Sequence, residues 1–151
     1  MNIRQANASD LRAVRDIVHQ TINTVYSGYY PKSAVDFFIV HHREENIGAD
    51  IAAGMVFVIE TGEVALGTVT IKENEMSRLF VLPEYQGKGY GGVLVDFAER
   101  LIAKQHEVIR LDASLPAKAM YIKRGYAVKE THSVLTENGD YLIYDVMEKR
   151  L

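Results

Sequence analysis

No cysteine occurs among the 151 residues, which excludes disulfides, thiolate metal sites and cysteine nucleophiles together. No apolar run approaches the length needed to cross a bilayer. The opening MNIRQANASD lacks the basic-then-apolar layout of an export signal, so the expected compartment is cytoplasmic, with no membrane partner. Basic charge is short as well. The 17 Lys and Arg face 20 Asp and Glu, a net charge of −3, without the cationic footprint of a nucleic-acid binder. Repeats, low-complexity tracts and linkers are missing, and the chain reads as a single domain over residues 1–151. What is present is an ordinary globular balance, 48% hydrophobic and 25% charged.

Periodicity divides the chain. Ile3–Ala6 is a short strand, and Asn7 with Asp10 forms a capping-box-like start to a helix. Leu11, Val14, Val18, Ile22 and Val25 then recur at helical spacing, up to a stop near Tyr26-Ser27-Gly28. Pro31 suits the first turn of a second helix carrying Val35, Phe38 and Ile39. From Met55 the period changes to that of strands: MVFVIE and VALGTVTIK about a Thr61-Gly62 turn, then EMSRLFVL. After LPEYQGKGYGG comes an amphipathic helix with Leu94, Phe97, Ala98, Leu101 and Ile102 on one face, and Asp96 and Arg100 spaced as an i,i+4 pair. EVIRLD is a strand and PAKAMYIKR a short helix closed by Gly125. AVKETHSVL and YLIYDVMEK make a hairpin across Glu137-Asn138-Gly139-Asp140, where Asn-Gly predicts a type I′ turn. This order gives an α/β fold with a mixed sheet.

The stretch Gln86-Gly87-Lys88-Gly89-Tyr90-Gly91-Gly92 lies between a strand and a helix. Glycines let the backbone turn sharply with its N–H groups outward, and the helix start adds unsatisfied donors and a positive dipole end. Such a turn seats a phosphate, with Lys88 able to add charge; the plainer reading is a ligand-free turn. Gly87-x-Gly89-x-x-Gly92, with Asp112 about 20 residues on, also satisfies the dinucleotide pattern. Three strands precede it, however, and five residues separate it from its own strand, which disfavours nicotinamide or flavin. The Walker pattern fails because Gly89, not Ser or Thr, follows Gly87-Lys88.

Gln86-x-x-Gly89-x-Gly91 resembles the pyrophosphate-binding signature of the GNAT N-acyltransferases. The likeness extends upstream through Leu79–Tyr85 and downstream through Ala119–Tyr126, where Tyr121 stands four residues before Gly125. The resemblance implies a mostly antiparallel central sheet of about seven strands with flanking helices and a splayed, V-shaped slot between the glycine-loop strand and Val108–Asp112. It implies acetyl-CoA as co-substrate and no metal. The backbone of Leu79, Phe80 and Val81 would pair with the pantetheine arm, Val81 N–H would face the thioester oxygen, and amides from Gly87 to Gly92, with Gln86, Lys88 and Tyr90 in the same turn, would hold the pyrophosphate. Ser114 stands where many relatives have Asn.

Acyl transfer to an amine needs a neutral nucleophile, a stabilised oxyanion and a protonated leaving thiolate. An alkyl ammonium loses its proton at neutral pH at a cost of roughly 4–5 kcal/mol, which a positioned base can share. Glu75 is the candidate base by its match to the family's catalytic glutamate, with Glu73 or a water chain as substitutes and an exposed strand-end glutamate as the bland reading. Tyr121 is the candidate acid, a phenol of pKa ~10 against a thiol of ~8.5; simple packing is the alternative. Tyr26, Tyr29 and Tyr30 lie where the family often lines its acceptor pocket, and either shape that pocket or only pack. His41 and Glu45 have the i,i+4 spacing of half a metal site but no third ligand, and read as a solvated helix end. Lys123-Arg124 is a solvated pair at a helix C-terminus. The implied activity is acetyl transfer to a primary amine, on a small metabolite or a protein or peptide, with a homodimer possible by analogy. A non-catalytic acyl-CoA sensor is the competing reading.

Overall fold

The computed structural model describes residues 1–151. Strand β1 (Asn2–Gln5) leads through a capped turn into helix α1 (Leu11–Val25). The capping box is complete: Asn7 takes the Ser9 N–H and Asp10 takes the Asn7 N–H at 2.8 Å. Arg4 donates to Asp10 at 2.8 and 2.9 Å and to Glu60 at 3.1 Å, tying β1, the start of α1 and the next strand together. Helix α2 (Lys32–His41) follows Pro31. A third helix, α3 (Glu44–Ala52), precedes the sheet; its short apolar stripe of Ile47 and Ile51 gave no separate sequence signal.

Strands β2 (Val56–Thr61), β3 (Val64–Lys72) and β4 (Glu75–Val81) form an antiparallel meander. Helix α4 (Tyr90–Ile102), strand β5 (Val108–Ala113) and helix α5 (Leu115–Lys123) come next, and β6 (Ala127–Leu135) and β7 (Tyr141–Arg150) close the chain. The seven strands make one sheet in the order β1-β2-β3-β4-β5-β7-β6, antiparallel everywhere except between β4 and β5. This is the mixed, mostly antiparallel sheet expected. One face buries Leu94, Ala98 and Ile102 of α4 with Ile109 and Leu111, while the other buries Val14, Ile17, Val18 and Ile22 of α1 with Val56, Val58 and Leu142. Two cores flank one sheet, as a layered α/β domain requires.

Two local expectations fail. Asp96 pairs with Arg124 beyond the end of α5 instead of with Arg100, because the fold brings that guanidinium over the first turns of α4. The β6–β7 turn is not type I′. Only Gly139 has a positive φ, 81°, and its N–H bonds to Thr136 O at 3.0 Å while Thr136 N bonds to Asp140 O at 2.7 Å. A three-residue loop with one left-handed glycine satisfies the hairpin, and Asn138 stays in ordinary φ space.

Candidate active site

The sheet opens at β4. Thr68 faces Phe80 and Thr70 faces Ser77, so β4 spends two residues, Arg78 and Leu79, against Val69 alone. Arg78 has φ 48°, a conformation costing a non-glycine residue about 1–2 kcal/mol. The extra residue reverses the side-chain alternation: Met76 packs into the α4 core and Phe80, four residues on, into the α1 core. Gly67 on β3 allows the close approach; a Cβ there would lie 2.9 Å from the Phe80 carbonyl oxygen.

Beyond the bulge β4 and β5 separate. Their parallel pairing is a single position, Glu75 with Arg110, clamped by Arg110 N to Asn74 O at 2.9 Å and Asn74 Nδ2 to Val108 O at 3.2 Å. Leu82 N bonds to Leu66 O at 2.8 Å, so in antiparallel alternation the adjacent Gly67–Val81 pair is not hydrogen-bonded. Val81 therefore turns its N–H and C=O away from β3, to the side β5 has left. Its carbonyl accepts Gln86 Nε2 at 2.9 Å and Thr21 Oγ1 at 3.2 Å. Gln86 thus ties the glycine turn to the end of β4 by its amide, a positioning role beyond the expected ligand contact.

In the turn itself Gly87 (φ 75°) and Gly89 (φ 90°) adopt left-handed geometry, and Gly89 caps α4. None of the N–H groups from Gly87 through Gly92 donates to a protein acceptor. Added Cβ atoms at Gly87 or Gly89 would meet nothing within 4 Å, so the space before these donors is open. Lys88 Nζ lies 5.3 Å from the centre of the Tyr85 ring, and Tyr85 and Tyr90 meet edge to face. A run of free donors at a helix start, continuous with an opened strand edge, suits a diphosphate followed by an extended amide-bearing arm.

Two cavities meet across β4. One, of about 420 Å³, runs along Leu79–Val81 to Gln86–Gly92 and is walled by Tyr29, Pro116 and Met120. The other, of about 530 Å³, lies among α2, α3, β4 and the β6–β7 hairpin. They share Tyr26, Leu79, Phe80, Ser114 and Ala117. Tyr121 is buried, T-shaped against Tyr126, and lines the second cavity. Burial, with no hydrogen bond contributing, pushes its phenol far above the ordinary value. Ser114 caps the start of α5 and its Oγ accepts the Tyr26 hydroxyl at 3.0 Å, leaving its own proton for another acceptor. Glu75 lines the second cavity but is exposed, at the closed end of the slot. Val81 lies six positions further on, roughly 20 Å along an extended strand.

The three tyrosines divide. Tyr26 lines both cavities, and burial raises its phenol to about 12. Tyr29 is exposed and faces the slot side. Tyr30 lines neither: its hydroxyl accepts Leu115 N at 2.8 Å and anchors the start of α5. Tyr26 and Tyr30 pack against each other, ring centres 5.6 Å apart, and both against Phe38, but of these two only Tyr26 reaches the cavities. His41 ends α2 and stacks on Phe37, while Glu45 lies in the first turn of α3, 3.9 Å from Arg43; the i,i+4 spacing spans a helix break. Sequence reasoning missed Arg78, His42 and Asp50, which come together on the second cavity's wall.

Residues 52–128, which hold β4, the glycine turn and Tyr121, match the family model described as acetyltransferase (GNAT) domain. The chain belongs to the GNAT family. Its fold is that of a GCN5-related N-acetyltransferase from Rhodopseudomonas palustris, 24% identical, with a TM-score of 0.89 over 99% of this chain and 95% of that one. It is similar also to the PaiA N-acetyltransferase of Thermoplasma acidophilum in complex with coenzyme A, 20% identical with a TM-score of 0.79, over 99% of this chain and 98% of that one. The ribosomal-protein-alanine N-acetyltransferase of Brucella melitensis superposes over the whole of both chains with a TM-score of 0.72 at 20% identity. No curated protein matches the chain in sequence. GNAT membership assigns acetyl transfer as the general chemistry and acetyl-CoA as the donor of the group.

Proposed function

We propose that this GNAT protein transfers an acetyl group from acetyl-CoA to a primary amine by direct attack. The observation that carries the reading is the continuity of the free amides at Gly87–Gly92 with the unpaired edge of β4 at Val81. Acetyl-CoA supplies an activated acyl group as a thioester. The Gly87–Gly92 amides would take its pyrophosphate, the backbone of Leu79–Val81 its pantetheine amides, and Ser114 Oγ one further hydrogen bond. Val81 N–H would stabilise the negative charge that grows on the carbonyl oxygen.

The amine nitrogen bonds to the carbonyl carbon, the carbon–sulfur bond breaks, and the thiolate takes a proton from Tyr121. Burial keeps that phenol protonated at every working pH. It also widens the gap to a thiol of ordinary acidity, but a thiolate leaving in the same dry slot loses water too, so its demand for the proton rises in parallel. The amine's proton leaves through Glu75 or solvent; the separation along β4 favours a water relay over direct contact. No covalent enzyme intermediate is required. The test is paired: CoA release over an amine panel, and protection against thermal unfolding by acetyl-CoA. Stabilisation with turnover of some amine supports the enzyme, stabilisation without turnover of any supports a sensor, and no stabilisation rejects both.

A further inference from the structure

Among the charged residues that line the second cavity, Arg78 is a buried cation that the transfer chemistry does not use. The β4 bulge, with its strained φ, aims the Arg78 side chain into the wall of this cavity, where only 7% of it remains accessible. The guanidinium has five N–H donors. Nη1 gives its two to Asp50 Oδ2 at 2.8 Å and Thr70 Oγ1 at 3.1 Å, and Nε gives its one to His42 Nδ1 at 3.3 Å. Nη2 keeps both of its own: it has no protein acceptor, yet it is not sealed from the cavity. Because His42 Nδ1 accepts from Arg78, its other ring nitrogen carries the proton and points away from the guanidinium, so the imidazole fixes the Nε edge of Arg78 and leaves Nη2 as the free one. Burial beside Arg78 holds the imidazole neutral, so this tautomer persists through the working pH range.

We propose that the acceptor amine carries a carboxylate, and that Arg78 Nη2 binds it, making the substrate an amino acid rather than a simple amine or polyamine. This rests on the acetyltransferase reading above and names its substrate class. A guanidinium held in place by Asp50, Thr70 and His42, with one nitrogen left without a protein acceptor, suits a carboxylate, which forms charge-assisted hydrogen bonds with it. Asp50 does not satisfy the need. It engages the Nη1 edge only, and its side chain is 34% accessible, so solvent shares its charge. Glu75 and Asp112 also line the cavity but are exposed, which suits the ammonium end of a zwitterion and does not cancel a cation buried against α3. A polyamine would instead set an ammonium against unpaired buried donors, an arrangement that rejects it.

The test uses the intact protein with saturating acetyl-CoA and measures kcat/KM for L-amino acids, ω-amino acids of increasing chain length, their carboxamides, and spermidine. The free acid of at least one pair should exceed its amide by about 100-fold, as for a charge-assisted contact to a buried donor. In Arg78→Gln that ratio should fall toward one, with His42→Phe lowering it less. Amides or spermidine used as well as the acids would overturn the proposal, and this comparison needs no variant to fold. No turnover of any acid by a protein that acetyl-CoA stabilises would also overturn it. Failure of acetyl-CoA to bind would be a different result, removing the acetyltransferase reading itself.

Discussion

Tyr121→Phe separates chemistry from packing. The hydroxyl makes no hydrogen bond within the protein, and the ring is held by the α4-side core and by Tyr126. Removing the oxygen therefore orphans no donor or acceptor and opens no cavity, and stability should stay within about 0.5 kcal/mol of the parent. The rate is another matter. An unaided thiolate must leave without a proton in a water-poor slot. General acids of this kind contribute about 100- to 10,000-fold, and the lower end suits a donor that ordinary pKa values put about 2 kcal/mol uphill of a thiol. The expected result is a kcat about 100-fold lower by CoA release, with an unchanged thermal shift on adding acetyl-CoA. Because burial raises the Tyr121 pKa, the parent's kcat should show no alkaline fall attributable to this group below pH 10. A variant whose kcat lies within twofold of the parent would refute the assignment of Tyr121 as the acid.

Gly67→Ala should cost about 1–3 kcal/mol in urea unfolding, since its Cβ would press a backbone oxygen at 2.9 Å, and should also weaken acetyl-CoA binding by displacing β4; a stability change under 0.5 kcal/mol would contradict the close approach. His42 has a pKa of about 3 in the fold against about 6.5 when unfolded, so the unfolded chain binds the extra proton and stability falls as pH drops through this window. Between pH 7.5 and 5 the parent should lose about 2 kcal/mol more than His42→Gln in urea titrations, and equal losses would mean that His42 is not buried neutral. Glu75→Gln should lower kcat only about 10-fold, because its distance along β4 leaves the proton to a water relay; a loss above 1,000-fold would identify a direct base.

The parts of the site legible in sequence are those built from backbone. Gly87, Gly89, Gly91 and Gly92 announce a turn with free amides whatever packs around it, and EMSRLFVL announces the strand before it. Tyr121 was found through its spacing to Gly125, within a short helix whose burial pattern carries no periodic signal. The side-chain network around Arg78 was not legible for a physical reason. A bulge flips the alternation after Ser77, so the arginine's direction depends on one residue of register that local pattern does not encode. Its partners come from α2's end and from α3, a helix with too few apolar positions to stand out. For Tyr26, Tyr29 and Tyr30 the sequence leaves pocket lining and packing equally open, and only the docking of α5 reveals that the Tyr30 hydroxyl is occupied.

The account's central claim is that the free amides of the turn and the open edge of β4 together hold one acyl-CoA molecule. Amide-resolved NMR of the labelled protein, titrated with acetyl-CoA, addresses those donors one by one. The account predicts the largest shifts at the N–H groups of Gly87 through Gly92 and at Val81, saturating together with a single binding constant. Shifts absent from both segments, or two segments titrating independently, would contradict it.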